Sequence, residues 1–221
     1  AHRSTIRCVT GNRLANLLQV LNKLHSHGKQ THGSNEALYT EKLTDRFETN
    51  KQTYLDLDEH CEKTYDWLLK HLEEYETSKR VIMTEYIHGD PVFSNVLLTP
   101  DGSIKLIDMR GQRNGNLTTG GDILYDFAKV YQSLLGYDIA LLLSRELTKR
   151  EDGIMSKLVT KLEDFVVDGY GSDRNDLLLV TASHLFTLIP LHDDEFLKEW
   201  AYEECLNTIT RYITLTELKK D

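Results

Sequence analysis

Three oxygen-bearing side chains in the middle of the chain, Asp90, Asn95 and Asp108, have the types and spacing that phosphoryl transfer requires. Five positions separate Asp90 from Asn95, and thirteen separate Asn95 from Asp108. A carboxylate can orient a nucleophilic hydroxyl and take its proton. Nucleotide phosphates travel with Mg2+, a hard cation that prefers oxygen ligands, and an Asn carbonyl with a second carboxylate supplies them. Each residue also has a plain structural role. Asp90 precedes Pro91 and suits a turn, Asn95 suits the start of a strand, and Asp108 suits a solvated loop. The spacing of all three together favours the chemical reading.

The elements around these residues must bring them to one place. Val96-Leu97-Leu98-Thr99 and Ile104-Lys105-Leu106-Ile107 are short β-like runs joined by Pro100-Asp101-Gly102-Ser103. In that turn Pro fixes φ and Gly permits a positive φ, so the segment reads as a β-hairpin. Asn95 then begins one strand, Asp108 ends the other, and the loop from His88 carries Asp90 to the same end. Upstream, Val81 to Ile87 reads as extended. Leu14, Leu17, Leu18, Leu21 and Leu24 form one face of a helix over about residues 13–26, followed by a polar loop from His25 to Gly33. Its histidines His25, His27 and His32 lack a partner set at metal-ligand spacing. Residues 36–76 read as two helices with a break near Thr49–Gln52, using Leu38, Leu43 and Phe47 for one stripe and Tyr54, Leu57, Cys61, Leu68 and Leu72 for another. After a loop from Gly115 to Gly121, helices are expected at 122–135, 139–148, 154–167, 174–188 and 194–215, with Pro190 marking the last break. The plan is α+β with helices dominant.

His88-Gly89-Asp90, Asn95 and Asp108-Met109-Arg110 together resemble the catalytic core shared by protein kinases and the aminoglycoside/choline phosphotransferases. Protein kinases carry His-Arg-Asp, then Asn, then Asp-Phe-Gly. The small-molecule branch carries His-Gly-Asp and a looser triplet after the second Asp, which is the version here. The resemblance implies a mostly helical, protein-kinase-like C-lobe with a small catalytic β-hairpin. It implies that Asp90 is the catalytic base, that Asn95 and Asp108 bind Mg2+, and that ATP is the phosphoryl donor. The acceptor it implies is a hydroxyl of a small molecule: an aminoalcohol, a sugar or an aminoglycoside. His88 would hold the loop through hydrogen bonds. Gly121-Asp122 and Asp126-Phe127-Ala128 are similar to the family's segment after the metal-binding Asp, where Asp126 braces the catalytic loop from behind; Asp122 can instead cap its helix. Leu24-His25 resembles part of the family's first large-lobe helix. Arg110 and Arg113 are candidates for a phosphate or anionic-substrate contact, against the plainer role of surface arginines. Asp193, Asp194 and Glu195 fall where the family often builds its acceptor pocket, and equally suit a helix N-terminus. The loop Asp108 to Gln112 lacks the usual aromatic residue, which points to a specialised subgroup, with cell-surface glycan or capsule precursor synthesis as the expected setting.

The resemblance runs from about residue 13 onward. The family's smaller, β-rich N-lobe, with its nucleotide lid and phosphate-binding Lys, has no counterpart here, and Gly11, Gly28 and Gly33 form no Gly-rich loop. Residues 1–221 are therefore expected to be one lobe of a longer kinase, weak in ATP binding alone, with the N-lobe or other domains of a parent protein as its partners. The alternative from a different class is a catalytically inactive kinase-like lobe that serves as a binding or scaffolding module. The retained polar triad argues against it and the missing lobe for it. A metal-dependent hydrolase would need a denser metal cage.

Composition limits the remaining choices. A formal net charge of −9 disfavours general nucleic-acid binding, which needs clustered Lys and Arg. Such acidity suits cationic ligands and, more often, simply maintains solubility. The cysteines Cys8, Cys61 and Cys205 are scattered and form no zinc or redox motif, so a reducing, cytoplasmic compartment is expected. No apolar run approaches the roughly 20 residues of a spanning helix. No signal-peptide core follows Ala1-His2-Arg3-Ser4, and the absent Met suggests a processed product or a segment of something longer.

Overall fold

The structure is a computed structural model that describes residues 9–33, 39–113 and 116–219. Cys8, Leu38, Gly115 and the side chain of Arg113 lie outside the described residues. The chain is mostly helical with small antiparallel sheets, the α+β class that the sequence predicts.

Helix α1 (Gly11–His25) opens on Thr10, whose hydroxyl accepts from the Arg13 N–H. It buries Leu14, Leu17, Leu18, Leu21 and His25. Leu24, expected on that face, is half-buried, and His25 occupies the core place. Three helices follow where two are expected. The break between α2 (Tyr39–Thr49) and α3 (Lys51–Leu57) falls where the sequence puts it, but a second break precedes α4 (Cys61–Glu76). Its cause is local. Asp58 Oδ1 accepts from the His60 N–H at 2.6 Å, a turn that competes with continued helix. The end of α4 in turn completes the start of α2: the Glu76 carboxylate takes the N–H groups of Tyr39 and Thr40 and the Thr40 hydroxyl. Those donors have no intrahelical partner of their own.

The strands are short: β1 (Gln30–His32), β2 (Ile82–Thr84), β3 (Val96–Leu98), β4 (Ile104–Leu106), β5 (Gln112–Arg113), β6 (Asn116–Leu117) and β7 (Gly121–Asp122). β1, β2 and β7 form an antiparallel sheet in that order, and β3–β4 and β5–β6 are hairpins. β1 lies in the stretch expected to be a solvated loop. All three of its side chains are exposed, so it carries no period-two pattern, and its pairing (Gln30 with Thr84, His32 with Ile82) is made by backbone alone.

The C-terminal half is helical: α5 (Ile123–Leu134), α6 (Tyr137–Leu143), α7 (Lys149–Tyr170), α8 (Arg174–Leu188) and α9 (Glu195–Leu218). α8 is buried on every side from Asn175 to Leu188 and packs against α2, α4, α5, α7 and α9. Its hydroxyls Thr181, Ser183 and Thr187 donate to carbonyls of the preceding turn, which makes them tolerable in the core. α7 is longer than expected because Thr148 and Glu151 form a capping box that starts it early. α6 is shorter because Ser144 turns left-handed, at φ 45°. Asp194 accepts from the Leu197 N–H and caps α9, the structural alternative for that acidic cluster. Cys61 and Cys205 are free and buried, and no helix among the described residues is long and apolar enough to cross a membrane.

One buried acid makes this fold pH-sensitive. Burial raises the Asp176 carboxyl to about 7, against the opposing pull of Arg80, 3.5 Å away. The folded state therefore binds a proton that the unfolded chain releases near its ordinary value, so this contribution is full at low pH and is lost as pH rises from about 4 through 7. Urea titrations should find Asp176→Asn more stable than the parent by roughly 1–3 kcal/mol at about pH 8, and equal to it at about pH 3, below the carboxyl's ordinary value. A pH-independent difference would refute the linkage.

Candidate active site

The β3–β4 hairpin has the expected turn. The Gly102 N–H donates to the Thr99 carbonyl and the Thr99 N–H to the Ser103 carbonyl, both at 2.9 Å, with Gly102 at φ 83°. Val96 pairs with Leu106 and Leu97 with Lys105. The Ile107 N–H donates to the Asn95 carbonyl at 3.0 Å, which extends the pairing to Asn95. Asn95 itself closes a 3-10 turn, Phe93–Asn95, and because strand side chains alternate, Leu97, Lys105 and the adjoining Ile107 share one face of the hairpin. Leu97 and Ile107 are exposed there, 36% and 40%.

Asp108 follows directly and sits left-handed, at φ 59°. Asp tolerates that region better than most residues but still at a cost. The flanking peptides hold it. Ile107 is tied to Asn95, and the Arg110 N–H donates to the His88 carbonyl at 2.8 Å. Asp108 is thus fixed at the seam between the hairpin and the loop that begins at His88.

That loop hangs on Asp126, on the first turn of α5 and wholly buried. Its carboxylate accepts from the His88 N–H at 2.8 Å, the Gly89 N–H at 2.7 Å and His25 Nε2 at 2.9 Å. Gly89, at φ 82°, leaves no room for a Cβ, which would meet Arg110. The Asp90 N–H donates to His88 Nδ1 at 3.2 Å, so the ring proton is on Nε2, which is buried without a partner among the described residues. Asn95 Nδ2 donates to the Asp90 carbonyl at 2.9 Å and to Asp90 Oδ2 at 3.1 Å. Two acceptors fix the amide's orientation and leave its Oδ1 for another partner. Lys129, on α5 and 14% exposed, places Nζ 3.2 Å from Asp90 Oδ1.

The residues singled out by sequence therefore form one unit: Asp90 touches Asn95, His88 and Asp126 share hydrogen bonds, and Asp108 and Arg110 are tied in through backbone. Arg110 is half-buried, with its guanidinium 4.7 Å from the Tyr125 ring centroid. Asp122 has both roles open to it. It caps α5, and Oδ2 takes the hydroxyls of Tyr39 and Tyr75 at 2.9 and 2.7 Å, although burial raises its carboxyl. Lys129 and His25 as partners of the site were missed. His25 had only the Leu-His resemblance to mark it, and Lys129 nothing beyond its place one helical turn after Asp126. Among the described residues no three His, Cys, Asp or Glu side chains gather as a metal cage. An Asn with one carboxylate is a sparser donor set, and the orientation of Asn95 with the exposure of Asp108 suits a hydrated Mg2+. No protein-family model matches this chain, and no curated protein is significantly similar to it.

Removing the Asp126 carboxylate would leave three buried donors unpaired. Asp126→Ala should cost about 3–5 kcal/mol in a urea titration, with fast amide exchange at His88 and Gly89. A loss within the range of an ordinary surface substitution would mean that the loop does not depend on it.

Proposed function

We propose that this chain is the C-lobe of a protein-kinase-like small-molecule kinase, transferring the γ-phosphoryl group of ATP to a hydroxyl acceptor. The observation that carries the reading is the direct contact of Asp90 with Asn95 on a loop pinned by Asp126, with Asp108 at the adjoining seam. Asp90 orients the acceptor hydroxyl and takes its proton. The acceptor oxygen forms its bond to the γ-phosphorus, the bond from that phosphorus to the β–γ bridging oxygen breaks, and ADP leaves. Asn95 Oδ1 and the Asp108 carboxylate would hold Mg2+, which offsets the phosphate charge. Lys129 keeps Asp90 aimed by ion pairing from the protein side. Leu97 and Ile107, exposed on one hairpin face next to Asn95, offer the nucleotide base an apolar surface beside its phosphates.

The test is calorimetry and turnover on the protein as its gene encodes it. Asp90→Ala should lower turnover by roughly a hundredfold or more and leave Mg2+·ATP affinity within about threefold of the parent. Asp108→Ala should weaken that affinity by about tenfold or more. Near-normal turnover in both variants would remove the site assignment. Absence of Mg2+·ATP binding in the parent protein would favour an inactive lobe that binds other molecules.

A further inference from the structure

Next to Asp90 the chain gathers positive charge around one phenol, in a protein whose net charge is −9. Lys42, from α2, donates to the Tyr125 hydroxyl at 2.9 Å, and its Nζ is 5.0 Å from the ring centroid. The Arg110 guanidinium lies 4.7 Å from the same centroid. Lys129, one helical turn beyond Tyr125, reaches Asp90 at 3.2 Å. The His184 ring, buried in α8, stands 4.2 Å from the Tyr125 ring.

The cations are not balanced from within. Among the described residues Asp90 is the one carboxylate that pairs with any of the three, and it pairs with Lys129 alone. Among the described residues the buried Arg110 Nε has no partner, and neither His184 nitrogen has a hydrogen-bond partner at ordinary geometry, the Tyr125 backbone being its nearest polar neighbour. Stacking on an aromatic face offsets part of the cost of desolvating a cation, but not the mutual repulsion of three. The charges leave their mark on their neighbours. Burial acts to raise the Tyr125 phenol, yet Lys42, Lys129 and Arg110 overcome it and hold the group near 8. Burial lowers Lys42, and Lys129 adds to that; burial and the two lysines also keep His184 neutral, against a smaller pull from the Tyr125 backbone. A partly ionised phenol is the only anion this cluster has of its own among the described residues, apart from Asp90.

We propose that Lys42, Arg110 and Lys129, grouped on Tyr125 beside Asp90, bind an acidic group of the acceptor. The substrate class is then an anionic hydroxyl compound, one bearing a carboxylate or a phosphate ester, and not an aminoalcohol or an aminoglycoside. This rests on the kinase reading for the hydroxyl, but the anion site itself is independent of nucleotide. The acidic group stands off from Asp90, fixed by Lys42 and Arg110, and directs the neutral hydroxyl end of the molecule to the base. A cationic acceptor would meet like charge at the same place.

The test reads Tyr125 directly, using inorganic phosphate as the probe and tyrosinate absorbance as the signal, with Tyr125→Phe identifying the transition. In the parent protein Tyr125 should ionise near 8, and saturating phosphate should move that midpoint upward because the bound anion cancels the cations. Lys42→Met with Arg110→Met should raise the midpoint without phosphate and weaken phosphate binding by about tenfold or more. Circular dichroism confirms that the variant is folded, and Lys42→Met alone, at a half-buried position, should show the same direction in smaller measure. Glycerol 3-phosphate should then compete with phosphate, and glycerol and choline should not. No phosphate-dependent shift in the parent protein overturns the proposal. So does displacement of phosphate by Mg2+·ATP, since the anion would then be the nucleotide's own. Failure of Mg2+·ATP binding with the shift intact would instead count against the kinase reading and leave the anion site standing.

Discussion

A single buried carboxylate organises the middle of this molecule. Asp126 belongs to α5, a helix held by the all-buried α8, and it takes N–H groups from His88 and Gly89 and the ring of His25 at the end of α1. Buried in this way, a charged group is tolerable only when its partners are in place, so each of the three segments is specified by the others. The loop from His88 to Asn95 holds only a single 3-10 turn, Phe93–Asn95. It depends for its shape on that carboxylate at one end, on Ser133 and the buried Asp138 carboxylate, which take the Phe93 and Ser94 N–H groups at 3.0 and 2.8 Å, at the other, and on the hairpin in front of it.

The same economy extends outward. Glu76 at the end of α4 supplies caps that α2 lacks, and Asp122 joins the start of α5 to tyrosines of α2 and α4. Acids near helix starts and in the core thus do much of the joining between elements, while the basic side chains Lys42, Arg110 and Lys129 are concentrated on one side of the loop. An overall acidic sequence and a locally positive site are compatible because the first is a sum and the second a matter of placement.

What the sequence made legible was whatever is encoded locally. The hairpin was readable because Pro100 to Ser103 carries turn chemistry, and Asp90, Asn95 and Asp108 are brought together by it over a short stretch. The buried stripe of α1 was readable from its periodicity, and α5 and α8 fall at nearly the bounds expected for them. β1 was not, because its side chains face solvent and its pairing is made by backbone to a strand far along the chain. The Asp58 break was hidden inside a charged, helix-favouring stretch. Lys42, Tyr125 and His184 come from three separate helices, and nothing near any one of them in the chain announces the other two. Lys129 is ordinary in sequence and becomes notable only by its distance to Asp90.

The left-handed backbone at Asp108 narrows what this position can become. β-Branched and bulky side chains are disfavoured there whatever their chemistry, and alanine bears the same steric strain in lesser degree. Glycine would relax the backbone but remove the carboxylate, and asparagine would keep the conformation but not the charge. Glycine and asparagine are therefore the two replacements that this backbone accommodates with least strain. The backbone conformation by itself does not favour aspartate over either of them.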